Sequence, residues 1–356
     1  MSKPLQIALV GAGLIGRAHL LRIEASAECV LAAICDPTEA AKAIAAERNL
    51  RWFPSQHEML AAMKPDGAII ATPNALHVPG AIDCLEAGVP VLVEKPLAES
   101  VAAAQRLVDA QARTGVAVLA GHHRRHNPIV KSARRIVSEG GIGRLVAVNA
   151  LFLIKKPDDY FDVAWRREPG GGPVLINLIH DIDNLRFICG EIESVQAITS
   201  NATRGFAVED TAALIFRFSN GALGTATVSD ATPSPWSWEL SSGENKAYPQ
   251  REGHCYLIAG SECSLALPKL DFWHYQDKAG WWEPLQHENR GVAPVEPLAE
   301  QLRHFCAVIR GSEAPLTGAA DAARTLAVVE AVAEAARTGA TVKPAPLRAL
   351  SGTDAA

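Results

Sequence analysis

Short apolar runs alternate with amphipathic stretches through the first third of the chain. Leu5–Val10 has the length of a buried strand, and Leu14–Ala27 follows it with helical spacing. Val30–Cys35 predicts a second strand that ends at Asp36-Pro37, and the alanine-rich Thr38–Arg48 predicts a helix. Gly67–Ala71 reads as a short buried strand ending at Thr72-Pro73-Asn74. His77–Ala87 reads as a helix closed by Gly88, and Val89–Val93 as the strand before Glu94-Lys95-Pro96. Val101–Thr114 is a further helix, closed by Gly115, and Val116–Ala120 a further strand. Strands alternating with helices of this length predict an α/β domain built on a doubly wound parallel sheet, a Rossmann arrangement.

After Gly121 the period changes. Arg144–Ile154 and Thr211–Ser229 read as longer strands, the latter broken by Ser219-Asn220-Gly221-Ala222 into a hairpin. A helix lies between Gly170 and Gly190, and two more lie near Leu298–Arg310 and Ala319–Arg337. Residues 230–255 are rich in Pro, Trp, Ser and Gly and show no period. The pattern predicts an α+β domain on a mainly antiparallel sheet, with a division into residues 1–121 and 122–356. A length of 356 residues suits two such domains.

Composition narrows the partners. A net charge of −5 gives no global basic field, which argues against nucleic acid. No apolar run approaches the roughly 18 residues of a membrane span. Leu5–Val10 is too short for the core of a signal sequence and runs directly into Gly11. Seven scattered cysteines without a Cys-x-x-Cys pair predict free thiols in a reducing compartment, hence a cytoplasmic protein. No zinc-ligand spacing is present, so no metal is expected. An extended sheet in the second domain needs a cover for its open face, which predicts a homodimer or homotetramer.

Two motifs carry the chemistry. Gly11-Ala12-Gly13-Leu14-Ile15-Gly16 follows a strand and opens a helix, and Asp36 ends the next strand 20 residues after Gly16. Gly11 permits the tight turn, Gly13 admits a pyrophosphate, and Gly16 lets helix and strand approach. The helix start, with Leu14 and Ile15, supplies backbone N–H groups to the anion. Asp36 would accept from ribose hydroxyls and repel a 2′-phosphate, which favours NAD over NADP; the competing reading is a turn or cap residue. Lys95 stands at the end of a strand of the same sheet, on the edge where ligands of such sheets bind.

These blocks, GAGLIG, ATPNALH, EKPLA, GHHRRHNP and GGGPVLINLIHDID, occur in this order along nearly the whole chain. Together they resemble the glucose–fructose oxidoreductase/inositol dehydrogenase (Gfo/Idh/MocA) family. The resemblance implies a two-domain NAD(P)-dependent oxidoreductase acting on CH–OH donors. Its small-molecule substrate would be a sugar, a cyclitol or a related ring. It implies Lys95 as the catalytic lysine beside the nicotinamide. It places Thr72, Asn74, His77 and Glu94 along the nicotinamide half of the cofactor, and Arg124 where cofactor and substrate meet. Trp165 and Arg166 resemble a Trp-Arg pair that reaches over the site. Members often show Asp-x-x-x-His on the helix after the glycines. Here His180 is in register, but Ile176 replaces the aspartate and Asn177 follows it.

Oxidation of an alcohol requires a base at the hydroxyl, and Lys95 and His180 are the candidates. Asn177 shares a helix face with His180 at three-residue spacing and would bond a neighbouring hydroxyl. Asp183, on the same face, would orient the imidazole. Against these stand a surface Lys95 paired with Glu94 and a His180 bonded to backbone. The run His122-His123-Arg124-Arg125-His126 reads two ways. Arg124, Arg125 and His126 either serve anions, with part of the charge for the cofactor pyrophosphate and the rest for a substrate carboxylate, or belong to a solvated loop with local salt bridges. The expected function is an NAD-dependent dehydrogenase for a ring hydroxyl of a cyclitol, sugar or related hydroxylated ring acid, dihydrodiols of aromatic acids included. A keto-sugar reductase and a non-catalytic NAD-binding sensor are the alternatives.

Overall fold

The computed structural model describes Lys3–Arg348. The chain divides into two compact units. One holds Lys3–His123, Pro297–Leu326 and Pro346–Arg348; the other holds Arg124–Glu296 and Ala327–Ala345.

In the first unit β1 (Leu5–Val10), α1 (Leu14–Glu24), β2 (Cys29–Cys35), α2 (Glu39–Glu47), β3 (Arg51–Phe53) and α3 (Gln56–Ala62) form one winding. β4 (Gly67–Ile70), α4 (His77–Glu86), β5 (Val91–Val93), α5 (Val101–Thr114) and β6 (Val118–Ala120) form the other. The strand order is β3-β2-β1-β4-β5-β6 and every pair is parallel. Every residue of β4, β5 and β6 is buried, as expected of parallel strands covered on both faces. The register aligns Val10 with Cys35 and Ile70, Ile70 with Val93, and Val93 with Ala120. That alignment brings the residues that follow each strand, Gly11, Asp36, Ala71, Glu94 and Gly121, to one edge. The winding reverses between β1 and β4, so this edge is the switch-point edge at which open α/β sheets bind ligands.

The second unit contains α6 (Pro128–Ser138), β7 (Leu145–Leu153), α7 (Ile179–Cys189), β8 (Ile192–Ser200), β9 (Thr211–Phe218) and β10 (Leu223–Ser229). It continues with α8 (Trp238–Ser241), β11 (Tyr256–Gly260), β12 (Cys263–Leu267), β13 (Asp271–His274) and β14 (Gln286–Asn289). Its eight strands run in the order β14-β13-β12-β11-β7-β10-β9-β8, antiparallel except for the β7–β10 pair. The β9–β10 hairpin closes as its sequence requires: Phe218 N–H donates to Ala222 O at 2.9 Å and Gly221 takes φ +88°. Along β9, Ala212, Leu214, Phe216 and Phe218 are buried while Ala213, Ile215 and Arg217 face out. The sheet is therefore one-sided, with α7 buried at every position.

Two helices follow, α9 (Pro297–Ile309) and α10 (Ala319–Thr338). Leu302, Phe305 and Cys306 of α9 share a core with Ile7, Leu9 and Ile69. At Gly67 a Cβ would stand 2.6 Å from Ile309, so the absent side chain is what admits the helix. The first compact unit ends at His123, close to the division at residue 121 expected from sequence, and residues 297–326 also belong to it.

Candidate active site

The glycine turn has the geometry its sequence requires. Gly11 takes φ +92°, and a Cβ on it would meet Ala71 O at 2.6 Å. A Cβ on Gly16 would meet Gly11 O at 2.1 Å. Of the three motif glycines only Gly13 faces open space; it is the N-cap of α1, where among the described residues no side chain caps the first-turn N–H groups. Those groups, around Leu14, Ile15 and Gly16, form an anion cradle. Asp36 Oδ2 accepts from Ala12 N–H at 2.8 Å, and Oδ1 accepts from Thr38 N–H at 2.9 Å and Thr38 Oγ1 at 2.6 Å. Burial pushes its carboxyl up, but the Ala12 and Thr38 donors outweigh burial and hold it below the usual range. Asp36 thus braces the glycine turn and borders a cavity of about 640 Å³ that runs past Gly13, Thr38, Thr72 and Leu76. Pro37, Pro54 and Pro79 give it apolar walls, and Asp83 also lines it. Thr72 Oγ1 is buried with no hydrogen-bond partner among the described residues. Uncapped helix N–H groups, an apolar cleft, a carboxylate at its rim and an idle hydroxyl fit a dinucleotide.

Lys95 follows β5 on this same edge and is half-buried. Its neighbours are turned to other tasks. Glu94 is buried, with Oε1 on His19 Nε2 at 2.8 Å and Oε2 accepting from Lys95 N–H at 3.2 Å. His77 is buried with Nδ1 2.8 Å from Pro96 O and Nε2 2.8 Å from Thr72 O. Its ring clamps the loop after β4 to the residue after Lys95. The polar atoms of both side chains thus have partners within the protein. Asn74 opens a single 3₁₀ turn, Asn74–Leu76, and is half-buried.

In the second unit the segment after His123 is buried rather than solvated. Arg124 pairs with Asp181 at 3.2 Å and Glu239 at 2.5 Å. Arg125 forms a bidentate pair with Asp183 at 2.8 and 2.7 Å. Tyr256 donates its hydroxyl to Asp181 and accepts from Asn184 Nδ2 at 3.2 Å. Trp238 stacks on Tyr256 and donates to Glu244 at 2.9 Å, so these two aromatics are core rather than an open loop. Burial pushes the Asp181 carboxyl up to about 7, with the Arg124 charge opposing and the Glu239 charge reinforcing it.

The guanidinium groups of Arg124 and Arg125 thus pair with internal carboxylates, as the local salt-bridge reading of this run has it. The Asp183 carboxylate accepts both bonds from Arg125. Arg166 Nη1 donates to Tyr160 O at 2.6 Å and the guanidinium stacks on that ring, which leaves Trp165 half-exposed beside it.

His126 and His180 are both buried. A π turn over Val174–Leu178 precedes α7 and contains Asn177, while His180 lies in the α-helical part. The wider turn alters the shared face expected at three-residue spacing. Asn177 Oδ1 is buried without a hydrogen-bond partner among the described residues. Glu209, which the sequence reading passed over, accepts from Val174 N–H at 3.1 Å at the start of this segment. A Cβ on Gly172 would stand 2.2 Å from Glu209, so the glycine run admits that cap.

The family model for the oxidoreductase family with NAD-binding Rossmann fold matches residues 5–122, and the model for the GFO/IDH/MocA C-terminal domain matches residues 130–265. The chain belongs to the GFO/IDH/MocA family. Its Rossmann domain is NAD-binding. This GFO/IDH/MocA member is 33% identical over 155 residues to inositol 2-dehydrogenase of Corynebacterium glutamicum, spanning 42% of this chain and 46% of that one. It is 27% identical over 362 residues to D-apiose dehydrogenase of Paraburkholderia graminis, spanning 96% and 90%. Among solved structures, the WlbA dehydrogenase from Bordetella pertussis, in complex with NADH and UDP-GlcNAcA, matches at a TM-score of 0.78 and 26% identity. That match covers 97% of this chain and 100% of the other.

His19 is the other residue the sequence reading passed over. A signal was available: it lies three residues after Gly16, a polar side chain on the face of α1 that Gly16, Leu20 and Ile23 bury.

Proposed function

We propose that this protein is an NAD-dependent dehydrogenase that oxidises a ring hydroxyl of a cyclitol, sugar or related hydroxylated ring acid, with Lys95 and His180 handling the proton. The observation that carries the reading is Lys95 on the same strand-end edge as the uncapped glycine turn and Asp36. The relatives support the substrate class, since they include dehydrogenases of an inositol and of a sugar. Neutral polyols stand ahead of acids, because the arginines that would grip a carboxylate are spent on Asp181, Glu239 and Asp183.

Bound NAD supplies the hydride acceptor. Lys95 Nζ takes the hydroxyl proton as the carbinol C–H bond gives up its electron pair and the C–O bond becomes a carbonyl. His180 shares that proton and hands it towards solvent. Asn177 Oδ1, idle and buried, accepts from a neighbouring substrate hydroxyl. Asp36 selects NAD over NADP by facing the position of a 2′-phosphate. The test is NADH formation with a panel of inositols, aldoses and ring acids. Turnover of at least one polyol with NAD supports the reading; NAD binding without turnover of any member, in either direction, moves the sensor alternative ahead.

A further inference from the structure

We propose that His19 is a positioning residue for Lys95 and acts through Glu94. The inference rests on the reading of Lys95 as the base. His19 sits one turn into α1, the helix whose first N–H groups form the anion cradle, and Glu94 is the residue before Lys95. Their side chains meet at 2.8 Å with both groups buried. Burial pushes the Glu94 carboxyl up, but the His19 hydrogen bond and the nearby charges of His19, His123 and Lys95 outweigh it and hold it at about 2.

An ionised carboxylate only accepts, so His19 Nε2 is the donor. His19 Nδ1 is buried with no hydrogen-bond partner among the described residues, which makes Glu94 the ring's polar anchor. The carboxylate is walled in as well. A Cβ on Gly121 would stand 2.9 Å from Glu94 Cα and 3.1 Å from Oε1. With Oε1 fixed by the ring, Oε2 stays on the Lys95 N–H. The pair does two things. It ties the phosphate helix to the residue that carries the base, so both are set as one rigid element. It also keeps a negative charge beside Lys95, which favours the ammonium that forms when the hydroxyl proton is taken.

The test compares His19→Leu, His19→Gln, Glu94→Gln and Lys95→Ala in the full chain. Glutamine places an N–H donor close to the position of the imidazole Nε2, so it is the conservative variant. Three readouts are used: NADH formation, NAD binding by calorimetry, and titration of Lys95 by carbon-13 NMR on the NAD-free protein. His19→Leu is expected to lower kcat about tenfold, within the range for misplacing a catalytic group, with NAD affinity changed less than about threefold. His19→Gln is expected to recover most of the loss. Glu94→Gln is expected to move the Lys95 titration to lower pH, because the neighbouring negative charge is gone.

If His19→Leu does not fold, His19→Gln and Glu94→Gln carry the test. Near-normal kcat in His19→Leu, or a loss of kcat and NAD affinity in equal measure without rescue by glutamine, would overturn the proposal. An unmoved Lys95 titration in Glu94→Gln would overturn its electrostatic half. If Lys95→Ala keeps its turnover, the reading of the base has failed, and the NMR titration then decides the His19–Glu94–Lys95 coupling by itself.

Discussion

Single side chains decide the chemistry. His180→Ala is expected to slow NADH formation and to raise the KM for substrate more than that for NAD. Asp36→Ser is expected to narrow the preference for NAD, because the charge facing a 2′-phosphate is lost. It also removes the acceptor of Ala12 N–H, so NAD binding itself should weaken; parallel titrations with NAD and NADP measure both effects. NADP binding as tight as NAD in the unaltered protein would contradict the role of Asp36. At this scale the glycine turn and Asp36 were legible, because their constraints are local: a positive φ, a close approach, a fixed spacing. The roles of Arg124, Arg125, Glu94 and His77 were not. Each bonds a partner outside its own motif, such as Asp183 lying 58 residues from Arg125, and no periodicity reports such a pairing.

Elements behave differently, since burial and period are shared over many residues. The uniformly apolar runs of the parallel strands announced themselves, as did the β9–β10 hairpin through its Asn-Gly turn. The short strands β11 to β14 fell in or beyond the stretch of mixed Trp, Pro and polar residues, where two-residue alternation is too brief to read. The π turn has no periodic signature at all, and the Glu209 cap at its start comes from a residue 35 positions on. α9 was legible as a helix but not as part of the first unit, because an amphipathic face does not say which core it covers. Phe305 is its deepest anchor, fully buried against Gly67 and the β1–β4 core. Phe305→Ala is expected to cost about 3–5 kcal/mol of stability, as truncations of buried Phe do. Urea unfolding followed by far-UV circular dichroism measures it, and a loss under about 1 kcal/mol would place α9 outside the first unit's core.

For the molecule as a whole, two buried carboxyls pull stability in opposite directions with pH. Glu94, held at about 2, adds stability that is full above the ordinary carboxyl range and is lost as pH falls towards 2. Asp181, pushed up to about 7, binds its proton more tightly in the folded state, so its contribution declines as pH rises from the ordinary carboxyl range to 7. Asp181→Asn should flatten that decline in a series of urea midpoints; an unchanged slope would assign it to another group. The outward face of the eight-stranded sheet carries Ile198 and Ile215, 78% and 52% exposed, with Val146 and Leu257. This is the face that a homodimer or homotetramer is proposed to cover. Light scattering is expected to give two or four chains, and Ile215→Glu to shift the assembly towards monomer; a monomer for the unaltered protein would contradict the proposal. NAD-dependent oxidation with Lys95 as base is decided by NADH formation in Lys95→Ala beside the unaltered protein on the best polyol of the panel. With Lys95 as base, kcat falls by at least about a hundredfold while NAD affinity stays nearly unchanged; turnover close to that of the unaltered protein would refute Lys95 as the base.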